Sequence, residues 1–290
     1  MPDAVSKLPE CFCSPHFHPK PIEIETGEIK PIKSLGQVFL VHDKTAEQLV
    51  KALDVTDNDT VIEIGPGRGI VTSKLINVAK EVIGIEIDKR LIDYLARKFS
   101  PNNNLKLVEC NFLMFDMTNY RGLKIIGNLP YYISSAILWK LLEDCWYWKV
   151  SVITVQREFA QRVLASPGSP DYGPISVVAQ YLCECRRLFN IPRSYFKPTP
   201  DVVSTAVILK RRELRFSLPD FKKFIAIVNA GFSPQPRKLL VNNLALSLKI
   251  SRTELVRILE QIGLPYNIRA NSLSPDDFFK LASALTSISH

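Results

Sequence analysis

Two short stretches of this chain hold side chains whose types and spacing could do chemistry. The first is Asn128-Leu129-Pro130-Tyr131. An exocyclic amine on a heteroaromatic base is a poor nucleophile, because its lone pair is delocalised into the ring. Accepting both of its N–H bonds, one with the Asn128 side-chain oxygen and one with a backbone carbonyl, draws that nitrogen toward a tetrahedral and more reactive geometry. Proline fixes the backbone that presents the carbonyl, and Tyr131 offers a flat face for a stacked base. A strand-ending turn with a buried tyrosine would use the same four residues, so the tetrapeptide needs company.

The second stretch, VIEIGPGRG, ends a predicted strand and places Gly65, Gly67 and Gly69 in a G-x-G-x-G array. Glycines at that spacing let the backbone turn sharply and approach a ligand closely, although a tight structural turn would use them too. Glu86 follows 21 residues after Gly65, at the end of the next predicted strand. A carboxylate there can accept hydrogen bonds from both hydroxyls of a ribose. A dinucleotide site favours G-x-G-x-x-G with its pyrophosphate at the helix N-terminus. The array here, preceded by Glu63, suits a zwitterionic amino acid better than a phosphate, and no GK[ST] follows to make a P-loop.

These residues must be positioned by alternating short β-rich and helical runs. VIEI at 61–64, EVIGIEI at 81–87, LKLVE at 105–109, LKIIGN at 123–128 and VSVITVQ at 150–156 read as strands. Two further strand-like stretches lie around Ser176–Cys183 and Val203–Lys210. Helices follow Gly69, span Lys89 to Phe99, follow Ser134 and start again near Arg157. This is βαβ patterning with a mostly parallel sheet of about seven strands and ligands at the carboxyl edge. Beyond Leu218 the pattern turns helical in four segments, with Ser251 and Glu254 forming a capping box and Gly263 marking a stop. The expected division is a proline-rich, poorly ordered extension over 1–30, an α/β domain over 31–212 and a helical domain over 213–290.

Of the 290 residues, 46% are apolar and 23% charged, which excludes a disordered or collagen-like chain and a disulfide scaffold. No uninterrupted apolar window of membrane-spanning length occurs, and the N-terminus lacks a secretory pattern, so a cytoplasmic protein with no membrane partner is expected. Cysteines at 11, 13, 110, 145, 183 and 185 read as reduced thiols. Cys11, Cys13, His16 and His18 have ligand-like side chains at spacings unlike those of zinc fingers, and no metal site is assigned to them. The net charge of +8 is divided unevenly: from Arg186 onward there are 17 Lys and Arg against 7 Asp and Glu, and before it 20 against 22. The excess positive charge lies in the last third, either as a solvated surface or as one that binds a polyanion.

With these motifs in order, the chain resembles the small-subunit ribosomal RNA adenine dimethyltransferases from about Lys33 to its C-terminus. The likeness extends through SLGQVFL at 34–40, VQREFAQR at 155–162, YGPISV at 172–177, FKPTPDVVS at 196–204 and FSPQPRKLLVNNL at 232–244. It implies a Rossmann-like S-adenosylmethionine-dependent methyltransferase fold with a small C-terminal helical domain. The implied reaction transfers methyl groups to the exocyclic amines of two adjacent adenosines near the 3′ end of small-subunit RNA, during ribosome assembly. The implied catalytic group is Asn128, Leu129, Pro130 and Tyr131; the implied cofactor residues are Val38, Leu40, Gly65, Gly67, Glu86, Asn111 and Asn128. Phe196 would stack on the base opposite Tyr131, and Arg237 and Lys238, with Arg211 and Arg212, would grip phosphates. The family usually has Asn at the position of Val38 and Asp at that of Asn111, so weaker cofactor binding is expected. The implied substrate is the small-subunit RNA or its precursor particle, and the implied state is a monomer. The rivals are a large-subunit RNA adenine methyltransferase of the antibiotic-resistance kind, a non-catalytic assembly factor that kept the fold, and a nicotinamide-dependent oxidoreductase. The intact NLPY disfavours the assembly factor, and the absence of G-x-G-x-x-G disfavours the oxidoreductase.

Overall fold

The computed structural model describes residues 29–144, 146–213, 218–235 and 238–288. The cluster of Cys11, Cys13, His16 and His18, most of the 1–30 extension, and Arg237 lie outside the described residues. In chain order the elements are β1 (Phe39–Leu40), α1 (Asp43–Leu53), β2 (Thr60–Ile64), α2 (Thr72–Leu75), β3 (Glu81–Glu86), α3 (Lys89–Lys98) and β4 (Leu105–Glu109). There follow β5 (Leu123–Asn128), α4 (Ser134–Glu143), β6 (Trp148–Gln156), α5 (Arg157–Val163), α6 (Pro174–Leu182), β7 (Cys183–Ile191), β8 (Phe196–Lys197) and β9 (Ser204–Arg211). The chain closes with α7 (Leu218–Phe232), α8 (Leu240–Leu248), α9 (Arg252–Gln261) and α10 (Pro275–Ile288).

The main sheet has seven strands in the order β4-β3-β2-β5-β6-β9-β7, and β1 and β8 form a separate ribbon. The chain divides into two compact units, one of residues up to Thr154 with Ile191–Val203, the other of Val155–Asn190 with Ser204 to the end.

In the first unit, β2 runs parallel to both β3 and β5, and its residues Val61 to Ile64 are buried. Apolar side chains on both faces are what a central parallel strand requires. Helix α3 buries Leu91 and Leu95, one turn apart, and starts at Asp88, whose carboxylate accepts from the Arg90 backbone N–H. Helix α1 starts at His42, whose ring stacks on Tyr195 at 3.7 Å between centroids. Trp148 opens β6 fully buried and donates its indole N–H to the Leu141 carbonyl at 2.7 Å, which satisfies the one polar atom that its burial strands.

In the second unit, Pro174–Leu182 is a helix, not the strand expected around Ser176–Cys183. Gly173 and Pro174 open it, and Ser176 accepts from the Gly173 N–H while donating to the Arg162 carbonyl. Every residue from Ile175 to Ala179 is buried, so the run has no period to read and its Val-Val pair points to a strand. The strand itself, β7, begins at Cys183, which preserves the expected number of strands while moving one of them. The four C-terminal helical segments are all present. Phe232 stacks on Phe278 at 5.7 Å, and Tyr181, Phe224 and Phe279 form a three-ring cluster with centroids 4.9 to 6.3 Å apart. Asn243 is fully buried and its amide donates to the carbonyls of Gly231 and Gln235, tying the end of α7 to α8. Ser251 caps α9 by accepting from the Glu254 N–H, and Gly263 stops it at φ +77°. Among the described cysteines, Cys110, Cys183 and Cys185 form no disulfide, and burial pushes the Cys185 thiol up to about 12. No described helix is long and apolar enough to cross a membrane.

Candidate active site

The carboxyl ends of β2, β3 and β5 open onto a cavity of about 280 Å³. Its walls include Val38 and Leu40 of the N-terminal motif, Gly65 and Gly67, Glu86, Asn111, and all of Asn128, Leu129, Pro130 and Tyr131. The parallel sheet accounts for this convergence, since strands adjacent in space end at one edge while lying tens of residues apart in sequence. Phe196 is not in this wall: it is 1% exposed and pairs with Leu40 in the β1–β8 ribbon. Lys238 is exposed at the surface of the second unit.

Gly65, Gly67 and Gly69 all take positive φ, at +65°, +56° and +77°. The Gly65 N–H donates to the Ile85 carbonyl at 2.9 Å, so the loop folds back over β3. A Cβ built on Gly65 would meet no atom within 4 Å, and one on Gly67 would come to 2.9 Å from the Phe39 ring. The first glycine leaves room for something else, and the second admits the N-terminal segment.

Glu86 is 6% exposed, and its two oxygens accept backbone N–H bonds from Gly67 at 3.3 Å, Ile87 at 2.9 Å and Asp88 at 3.1 Å. Burial raises its pKa, against the pull of those three donors toward the ionised form. Glu63, 3% exposed, accepts from the Thr72 hydroxyl at 2.7 Å. Burial pushes its carboxyl up to about 7, with the Thr72 hydroxyl and backbone N–H opposing and the Glu86 charge adding to the rise. Two buried carboxyls on one cavity repel a pyrophosphate and accept cations and hydroxyls.

The Asn128 side chain bridges the two ends of the site. Its Nδ2 donates to the Val38 carbonyl at 2.8 Å, which leaves Oδ1 buried without a hydrogen-bond partner. A buried acceptor left unpaired costs about 1–3 kcal/mol, and a donor brought by a ligand recovers it. Val38 therefore acts through its backbone, so the exchange of a side-chain amide for valine leaves this contact intact. The Leu129 N–H donates to the Thr154 carbonyl at 3.0 Å, and the Pro130 carbonyl accepts from the Ile133 N–H and the Ser134 hydroxyl. These bonds hold the tetrapeptide against β6 and the start of α4. Asn111 accepts from the Leu113 N–H at 3.0 Å and caps the turn that follows β4.

Sequence reasoning missed how the segment from Ile29 to Val41 is held over the cavity. Gln37 accepts from the Ile32 N–H and donates to Asp88 at 2.8 Å; the Arg90 guanidinium also binds Asp88, at 2.7 and 3.0 Å. Arg90 holds the Asp88 carboxyl below its ordinary value, with Gln37 helping. Arg68 and Arg90 donate to the carbonyls of Ile29 and Lys30. The missed walls also include Ile87 and Leu113, apolar residues flanking the two predicted acceptors Glu86 and Asn111. Their position one or two residues beyond an expected site residue was the available signal.

The residues present fit S-adenosylmethionine: a space beside Gly65, buried carboxyls for its ammonium and ribose, apolar walls for its adenine, and an unpartnered acceptor at Asn128 for an incoming amine. The chain matches the ribosomal RNA adenine dimethylase family over residues 30–287. A ribosomal RNA small subunit methyltransferase A of Natranaerobius thermophilus is 34% identical over 289 residues, covering 91% of this chain and 95% of that protein. The crystal structure of a dimethyladenosine transferase from Plasmodium falciparum superposes with a TM-score of 0.77 at 27% identity, covering 86% of this chain and 98% of that one. That of the 23S rRNA methyltransferase ErmE gives 0.66 at 26% identity, with 86% and 99% covered.

Proposed function

Because the chain belongs to the ribosomal RNA adenine dimethylase family, it is a ribosomal RNA methyltransferase dependent on S-adenosylmethionine, and we propose how its cavity serves that activity. It dimethylates adenines of small-subunit ribosomal RNA; the targets we assign are two adjacent adenosines near the 3′ end, in the subunit or its precursor particle. The observation that carries this reading is the buried, partnerless Asn128 Oδ1 in a cavity that also holds the buried carboxyls of Glu63 and Glu86. When bound, S-adenosylmethionine supplies a methyl carbon made electrophilic by its sulfonium. Glu63 would hold the cofactor's ammonium, Glu86 its ribose hydroxyls and Asn111 its adenine amine, with Ile87 and Leu113 supplying apolar wall for the ring.

Asn128 Oδ1 and the Leu129 carbonyl accept the two N–H bonds of the target amine, and Tyr131 stacks on the base. A base inside a helix is out of reach, so the target nucleotide is flipped into the cavity. The enzyme contributes positioning above all, and the methylated amine sheds its proton to water. Phe196 completes the stack on Tyr131 only by swinging out of the ribbon in which it is buried. A Phe196→Ala chain that folds yet loses methyl transfer supports that movement. By function, residues 31–212 carry the chemistry; Arg211 and Arg212 at the end of that stretch join Arg237 and Lys238 of 213–290 in gripping phosphates. We assign the protein to the cytoplasm, as a monomer with no membrane partner.

The deciding experiment is transfer of labelled methyl groups to unmethylated small ribosomal subunits, with large-subunit RNA in parallel and nucleoside analysis of both. Dimethyladenosine in the small subunit alone supports the reading. Label in the large-subunit RNA alone transfers the assignment to the rival methyltransferase, and binding without label makes the chain an assembly factor.

A further inference from the structure

Tyr132 lies beside the reacting tetrapeptide but is not part of it. It shares one 3₁₀ turn, Tyr131–Ile133, with Tyr131, and side chains in such a turn diverge by about 120° per residue. The two rings therefore face different ways. Tyr132 lines the cavity, yet 61% of it is open to solvent. One edge of its ring rests on Gly36, which has φ +57°; a Cβ there would come to 2.9 Å from the ring Cδ1. That contact backs one edge of the ring, while most of the side chain stays open to solvent. Ile87, also in the cavity wall, is 50% exposed, so the wall carries a second exposed apolar side chain. A large aromatic, braced from one side and exposed where a base must enter, is a stacking platform.

We propose that Tyr132 stacks on the nucleotide adjoining the adenosine held at Asn128 and Tyr131. The inference rests on the function proposed above. Its two target adenosines are neighbours, so whichever one is outside the cavity lies one nucleotide from the one inside. Consecutive tyrosines receive consecutive bases, the inner in the reacting position and the outer on the rim. Tyr132 is thus a positioning residue that fixes which nucleotide enters, and its hydroxyl has no part in the task.

The test compares the full-length chain with its Tyr132→Ala and Tyr132→Phe variants on unmethylated small ribosomal subunits. Loss of one base–aromatic stack predicts a roughly 5- to 100-fold rise in KM for the subunit in Tyr132→Ala. Its kcat and its Kd for S-adenosylmethionine are expected to stay at the wild-type values, and Tyr132→Phe to restore KM. A second arm uses subunits in which one of the two adenosines is abasic and reads methylation of the other. With no adjoining base to stack, wild type and Tyr132→Ala are expected to become equal. A loss of cofactor affinity in Tyr132→Ala matching its loss of activity would overturn the proposal, since the ring would then serve only to brace Gly36. So would a KM penalty that persists on the abasic subunit. Absence of dimethyladenosine from the wild-type reaction would instead overturn the parent reading, and this one with it.

Discussion

Replacing Glu63 by Gln tests the electrostatics of the cofactor cavity at its most buried carboxyl. Glutamine keeps an oxygen to accept from the Thr72 hydroxyl, now at 2.7 Å, and removes only the ability to ionise. In the folded chain Glu63 titrates at about 7, against 4.5 for an ordinary glutamate. A folded-state pKa above the unfolded one means stability that is full below about 4.5 and lost as pH rises through about 7. At 1.36 kcal/mol per unit, ionising Glu63 costs the fold about 3 kcal/mol by pH 8. Chemical denaturation of the ligand-free protein from pH 4 to 8.5 therefore measures a decline that is smaller in Glu63→Gln by about that amount. Other groups titrate in both proteins, and the difference between the two curves isolates this one. A cationic ligand favours the charged carboxylate, so cofactor binding at pH 6 releases nearly one proton, about 0.9 for a pKa of 7, and little at pH 8. Calorimetry in buffers of unlike ionisation enthalpy reads that proton directly, and Glu63→Gln removes it. Parallel stability curves together with equal proton release in the two proteins would refute both the titration and the placement of the ammonium.

Asn128→Ala removes the unpartnered acceptor and the bond to the Val38 carbonyl, and a roughly 100-fold or greater fall in kcat is expected; single-turnover methyl transfer measures it, and a loss below about threefold would remove Asn128 from catalysis. Gly65→Ala puts a methyl group into the open space of the cavity and strains a backbone at φ +65°, at a cost of about 1–2 kcal/mol. Cofactor affinity should drop more than about tenfold, and equilibrium dialysis that finds no change would place the ligand elsewhere. Asn111→Asp exchanges a neutral acceptor for an ionised one, so the cofactor should bind roughly 3- to 10-fold tighter at neutral pH; identical titrations would deny a contact there. Affinity for the ribosomal substrate should fall linearly on a log–log plot against salt, and an affinity indifferent to salt would contradict phosphate gripping by the basic C-terminal third.

The cavity edge was legible because it is built from short contiguous motifs. Each of Gly65, Glu86, Asn111 and Asn128 ends or follows a parallel strand, and the βαβ repeat dictates that such ends share one edge. The C-terminal helices were legible by their 3.6-residue period and by caps such as Ser251. Helix α6 was not, because a uniformly buried run carries no period and its β-branched residues point the other way; only the Gly173-Pro174 start marks it. The β1–β8 ribbon escaped notice because two-residue strands have no pattern of their own and exist through pairing across more than 150 residues. That pairing also buries Phe196, so the side chain expected at the substrate lies in a ladder.

Sequence by itself determined the family, the parallel sheet and the list of groups at its edge, since those follow from local spacing and strand order. Tertiary structure alone decided how the groups are set against one another. The Val38 carbonyl turns Asn128 so that its oxygen is left free, burial holds a proton on Glu63 near neutral pH, and Gly36 braces Tyr132 at the mouth. Each of these depends on atoms far apart in the chain, and on the removal of water between them, which no local pattern encodes.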